Sequence, residues 1–121
     1  MGGHERLAEE VLVVRCGRPP FDQPKFLNER CDLHDGVYGF SVQSGNGRTL
    51  IELSAWCRNN KIGVSTVRQI RSSGYEVVIT AGEGYHATVV VPPDWDQVAA
   101  MELGGSFQER ENPVPKAERH R

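Results

Sequence analysis

The sequence predicts an α+β domain, a single small and mainly antiparallel sheet flanked by short helices. Three observations lead there. Residues 75–80 and 85–91 are β-branched and aromatic runs joined by Ala81-Gly82-Glu83-Gly84, a glycine-bearing connection of hairpin length. Thr49-Leu50-Ile51-Glu52 has the capping-box pattern, in which the threonine oxygen takes the Glu52 amide and the carboxylate reaches back to the threonine amide. A chain of 121 residues is long enough for one hydrophobic core and too short for two independent ones.

In chain order, a polar leader over residues 1–10 gives way to Val11-Leu12-Val13-Val14, a buried strand that delivers Arg15 to its end. Gly17-Arg18-Pro19-Pro20 breaks regular structure, and residues 24–31 are expected to form one or two helical turns with proline near the first position. Residues 36–44 read as a strand whose glycines allow close backbone approach, with Gly45-Asn46-Gly47 as its turn. The helix opened by Thr49 places Leu50, Leu53, Trp56 and Cys57 on one face and is expected to end at Asn59-Asn60. Residues 62–64 form a short strand, and a second helix starts at Ser65 or Thr66, turns Val67 and Ile70 inward and stops at Gly74. Pro92-Pro93 ends the last hairpin strand. Asp94-x-x-Gln97 then caps a helix carrying Trp95, Val98 and Ala99, which Gly104-Gly105 terminates. The single domain is therefore expected over residues 11–105, with residues 106–121 a polar, partly flexible tail.

Composition narrows the function classes. At 38% hydrophobic and 25% charged residues the chain sits among globular proteins, and no apolar run is long enough to span a bilayer. The first residues lack the basic end and apolar stretch of a secretory signal, so a cytoplasmic protein without a membrane partner is expected. A net charge of −2 argues against holding a polyanion by bulk attraction and leaves only a local basic patch. Cys16, Cys31 and Cys57 are odd in number and widely spaced, which disfavours a disulfide framework or a zinc site; reduced, packed thiols and no metal are expected.

His86-Ala87-Thr88 is the sharpest pattern with chemical meaning, because strand alternation sets the imidazole and the hydroxyl on one face. Imidazole exchanges protons near neutral pH and a neighbouring hydroxyl can orient a phosphate or a carbonyl. Arg15 at a strand end offers a planar fork for phosphate or carboxylate. Ser41 and Ser44 fall on opposite faces of a regular strand, so one of them at most faces a shared pocket. Glu83, in the turn before His86, can polarise it or act as a carboxylate of its own. Gly45-x-Gly47 lacks the lysine and the further glycines of a phosphate loop, which excludes the common nucleotide-binding signatures. Trp56 and Trp95 are core residues by their apolar spacing, with interface anchors as the alternative.

Taken in order, Val14-Arg15, Gly36-Val37-Tyr38-Gly39-Phe40-Ser41-Val42, Val67-Arg68-Gln69-Ile70-Arg71-x-x-Gly74, His86-Ala87-Thr88 and Asn112-Pro113 resemble a family of small bacterial proteins common in actinobacteria. Similar segments occur in the C-terminal toxin tips of polymorphic secreted proteins. The chain also looks like a compact ADP-ribosyltransferase-like toxin, a looser similarity. That resemblance implies NAD as substrate, Arg15 on the pyrophosphate or ribose side, Ser41 or Ser44 with Tyr38 and Thr88 around the nicotinamide ribose, and His86 or Glu83 in the last position. A second serine-bearing signature and a Glu-x-Glu are missing from it. A rival resemblance is to small endoribonucleases of the barnase, EndoU and RelE group, with His86 as acid or base, Thr88 on phosphate and Arg15 or Arg71 as clamp. Only that reading implies nucleic acid. Both imply a cognate antitoxin or immunity protein as partner, and a non-enzymatic antitoxin, immunity or adaptor domain is the third reading. Arg15 and His86 in one cleft would favour an enzyme; wide separation would favour protein binding.

Overall fold

A computed structural model describes residues 7–16, 31–80 and 85–120. Among them, strands β1 (Leu12–Arg15), β2 (Asp32–His34), β3 (Val37–Ser44), β4 (Lys61–Thr66), β5 (Glu76–Ile79), β6 (His86–Val90) and β7 (Gln108–Glu111) form one sheet in the order β5-β6-β3-β1-β4-β7. Every pairing is antiparallel. β3 is the longest strand because it serves three neighbours: β6 along one side, and on the other β2 opposite residues 37–39, then β1 opposite Gln43 and Ser44. The β2–β3 hairpin turns on Asp35 and Gly36, at φ of 52° and 79°, a left-handed pair that asparagine, aspartate and glycine tolerate best. β1 has strands on both sides, which accounts for its unbroken apolar run.

Helices α1 (Leu50–Ser54), α2 (Val67–Ser72) and α3 (Gln97–Gly104) cover the two faces unequally. α2 and α3 send Val67, Ile70, Ala100 and Leu103 into the larger core, against Val13, Phe40, Val42, Val77, Ala87 and Val89. α1 lies on the other face, where Leu53 and Cys57 meet Val14, Ile62 and Val64. The fold is thus the expected α+β domain, with helices the minor part.

Local chemistry sets the helix starts. Thr49 makes the full capping box: its Oγ1 accepts from Glu52 N at 3.1 Å, and its own amide donates to Glu52 Oε1 at 3.0 Å. Those hydrogen bonds, the Thr49 amide first, hold the Glu52 carboxyl below its usual range. Thr66 caps α2, and Gly74 follows it at φ of 94°. For α3 the cap is Asp96, whose carboxylate accepts from Ala99 N at 2.8 Å, not Asp94 as expected; Pro92 and Pro93 hold the chain extended for longer. α1 stops at Ser54, well before Asn59-Asn60.

Three further expectations need correction. Cys16 and Cys57 are not free thiols: they form a disulfide across a sequence separation of 41, with Cα atoms 5.1 Å apart. Chain spacing did not reveal it because the β1 end and the α1 exit are brought together by the sheet. Residues after 105 are not a mere tail, since β7 pairs with β4 and a 3₁₀ turn over Lys116–Glu118 follows. β7 escaped notice because all its side chains are exposed and polar, as befits an edge strand. β2, short and polar, escaped for the same reason. Leu7, from the expected leader, is 2% exposed and packs in the larger core, with its carbonyl held by Arg71 Nη2 at 2.7 Å. The helical turns expected at residues 24–31 fall on 24–30, outside the described residues, and Cys31 simply precedes β2.

Candidate functional site

Strand alternation divides the predicted site residues between the two faces. Val13 and Ser44 face each other across β1 and β3, as do Val14 and Gln43. With Val13, Phe40 and Val42 in the larger core, Arg15, Tyr38 and Ser44 share its side of the sheet, while Ser41 and Gln43 point to the α1 face. On β6, Thr88 opposes Ser41 and His86 opposes Gln43, so both belong to the α1 face.

Arg15 is therefore remote in orientation from His86. Its guanidinium lies 5.1 Å from the Phe40 ring centroid, one nitrogen donates to the Ser41 carbonyl, and the residue is 6% exposed. Ser44 is fully buried and spends its hydroxyl on the Leu12 carbonyl at 2.6 Å. Tyr38 packs against the larger core. Arg71 is occupied by Glu76, at 2.8 Å, and by the Leu7 carbonyl. Glu83 lies outside the described residues. The structure brings together Ser41, Thr88 and His86 on one face and turns the Arg15, Tyr38 and Ser44 side chains to the other, although Ser44, at the end of β3, still borders the pocket beside His86.

The α1 face itself has two parts. Over β1 and β4 it is apolar and covered by α1. Over β3, β6 and β5 it is polar, with rows of Ser41, Thr88 and Val78, and of Gln43 and His86 with Thr80 beyond the end of β5. Thr80 and Thr88 join hydroxyls at 2.9 Å, both buried, which satisfies two polar groups that would otherwise be costly there. Gln43 Nε2 stands 3.5 Å from His86 Nδ1, an orientation in which a neutral imidazole carries its proton on Nε2. Gln43 is 5% exposed, and its Oε1 has no hydrogen-bond partner.

Residues that the sequence did not assign to a site complete this one, among them Trp56, expected in the core. The Trp56 indole, just after α1, stands 6.4 Å from the His86 ring, 6.1 Å from Tyr85, and stacks on His120 at 4.2 Å. Its Nε1 is buried without a partner. Arg48 lies 4.8 Å from the Tyr85 ring centroid, and with Ser44, Asn46, Tyr85 and His86 it lines an open pocket of about 200 Å³.

Trp56 is held from three sides. The neighbouring Cys57 is bonded to Cys16 at the end of β1. Asn112 Nδ2 reaches the carbonyls of Ser54, Cys57 and Asn59 at 3.0–3.3 Å, and His120 donates its amide to the Ala55 carbonyl. Asn112 belonged to the recognised pattern, yet nothing in the sequence indicated that it brackets the α1 exit. Trp95, by contrast, packs beside Phe40 and Tyr75 as the expected core residue.

Among the described residues no cluster of three or more metal-ligating side chains is present, and no helix is long and apolar enough to cross a membrane. Comparison with protein-family models, with curated proteins and with solved structures gave no match.

Proposed function

We propose that the chain is a toxin-type effector that cleaves RNA by acid–base transfer at His86. The observation that carries this reading is the sharing of one indole by two imidazoles, His86 and His120, beside a pocket that Arg48 also lines. The NAD reading asks for Arg15, Ser41 or Ser44, and His86 or Glu83 around one ligand, and strand parity gives the Arg15 side chain to the face opposite His86 and Ser41. That separation counts against the NAD reading and in favour of the protein-binding one; the ribonuclease reading is preferred to both because it does without Arg15 and uses the paired imidazoles beside Trp56.

Ribonucleic acid carries its own nucleophile. In the proposed reaction one imidazole takes the proton of a 2′-hydroxyl, the 2′-oxygen attacks the adjacent phosphorus, and the bond from phosphorus to the 5′-oxygen breaks. A protonated imidazole gives its proton to that leaving oxygen. The products are a 2′,3′-cyclic phosphate and a 5′-hydroxyl. Two imidazoles suit the two proton transfers, and the Arg48 guanidinium suits the charge that gathers on the phosphoryl oxygens. Thr88 is buried in its bond to Thr80 and serves the floor of the site; the clamp expected of Arg15 or Arg71 passes to Arg48.

The setting proposed is action in a cytoplasm, opposed by a cognate neutralising protein. The Cys16–Cys57 disulfide supports folding in an oxidising compartment beforehand, because such bonds are rare in the cytosol. A fluorescent single-stranded RNA incubated with purified protein is expected to yield cyclic-phosphate ends by mass spectrometry. His86→Ala should lower the rate by about 10²–10⁴-fold. A strand with 2′-deoxyribose at every position should resist. NAD consumption that depends on His86, with RNA intact, would return the assignment to the NAD reading.

A further inference from the structure

We infer that Arg58, Lys116 and Arg119, bordering His120, form a second subsite, which binds a phosphate of the RNA next to the one being cleaved. The inference rests on the ribonuclease reading for its ligand and on independent observations for its geometry. Together with His120 these residues line a pocket of about 160 Å³, and His120 stacks on Trp56, whose indole also contacts His86. In a protein whose net charge is −2, the described residues that line the pocket are three cationic side chains and an imidazole.

Those charges are not neutralised locally. Arg48 pairs with Glu52, Lys61 with Glu111, Arg68 with Glu9 and Arg71 with Glu76. Among the described residues no carboxylate makes an ion pair with Arg58, Lys116 or Arg119, and Glu118 does not, although it belongs to the same 3₁₀ turn as Lys116. Arg119 is also fixed in place. Its Nε donates to the Val114 carbonyl at 2.8 Å, and Nη1 donates to the Arg58 carbonyl at 2.9 Å and to Asn60 Oδ1 at 3.0 Å. Among the described residues its Nη2 makes no such bond, which leaves one edge of a pre-oriented guanidinium for a ligand.

Holding like charges together costs stability, and a phosphate removes that cost. The geometry also gives direction. Trp56 contacts both His86 and His120, and His120 also lines the pocket, so a strand whose scissile phosphate sits at His86 can reach Arg58 and Arg119 with the neighbouring phosphate. The substrate class follows: a single-stranded RNA with a phosphate flanking the scissile one, in preference to a dinucleoside monophosphate.

The test separates binding from cleavage. A fluorescent 2′-O-methyl RNA tetranucleotide lacks the nucleophile, so its binding is read by anisotropy whether or not the protein is an enzyme. Arg58→Gln and Lys116→Gln change exposed side chains and should weaken this binding by about five- to tenfold together. Each lost phosphate contact should reduce the slope of log affinity against log salt by about 0.7. On cleavable RNA the same pair should raise KM for the tetranucleotide with kcat unchanged, and leave a dinucleoside monophosphate unaffected. Unaltered affinity, equal effects on both substrates, or competition by heparin as effective as by RNA would overturn the subsite. Binding that depends on Arg58 without any cleavage would keep the subsite and remove the catalytic reading instead.

Discussion

The two faces of the sheet are built from the same alternating strands and are put to different uses. Where α2 and α3 pack, β3 presents Tyr38, Phe40 and Val42, β6 presents Ala87 and Val89, and the space is filled by apolar side chains with Arg15 laid over Phe40. One residue along, the same strands present Ser41, Gln43, His86 and Thr88 to the other face, where α1 packs its apolar side chains on β1 and β4. A buried polar group needs a partner, and on this second face Thr80 and Thr88 have each other while Gln43 Oε1 and Trp56 Nε1 have none. The first face is closed by packing. The second keeps unfilled hydrogen-bonding capacity beside two imidazoles, the property expected of a binding site and not of a core.

That contrast can be broken from either side. Phe40 is fully buried between Trp95 and Phe107, so Phe40→Ala should cost about 3–5 kcal/mol in chemical denaturation. His86→Ala, on the partly open face, should cost under about 1 kcal/mol, as a substitution away from the packed core does. A large stability loss at His86 would mean that the second face is core as well.

Next in size is the disulfide. Reduction, or the pair Cys16→Ser and Cys57→Ser, should lower stability by about 2–4 kcal/mol, since it frees a loop spanning 41 residues of sequence in the unfolded chain. It should also loosen Trp56 on its His120 stack, read as a shift of tryptophan fluorescence, while amides of β5 and β6 on the larger core keep their exchange protection. Uniform loss of protection would show the two faces to be one cooperative unit.

The smallest effect sharpens the comparison by contrast between cysteines. Cys31 packs against the larger core, and burial pushes its thiol up to about 11, with the Arg15 charge opposing in part. At pH 8 its alkylation by iodoacetamide should run about a hundredfold slower than that of an unperturbed thiol, because the thiolate fraction is smaller by that factor. The sign for stability follows. The folded thiol holds its proton to higher pH than the unfolded one, so any contribution is complete below about pH 9 and is lost as pH rises toward 11. Rapid alkylation at neutral pH would place Cys31 outside the packed face.

Much of the fold was legible without coordinates, because it depends on short-range chemistry. The Thr49 capping box, the apolar β1, the Thr66 start of α2, and the β5 and β6 strands are each written within a few residues of chain. β2 and β7 were not, since a solvated edge strand needs no hydrophobic pattern. His86 and Thr88 were singled out correctly as neighbours on one face, because period two is a local property of a strand.

What tertiary structure alone decided is which of these residues meet. Register assigned the Arg15 side chain to the packed face and His86 to the open one, and a slip of a single residue between β1 and β3 would have put Arg15 on the His86 face. Trp56, His120, Arg58 and Arg119 are separated by most of the second half of the chain, and they converge through the Cys16–Cys57 bond, the Asn112 bracket and the Arg119 hydrogen bonds. Local sequence sets the shape of each element, since it acts through neighbours along the chain. The site depends on contacts between distant segments, and those are fixed only when the sheet closes and aligns them.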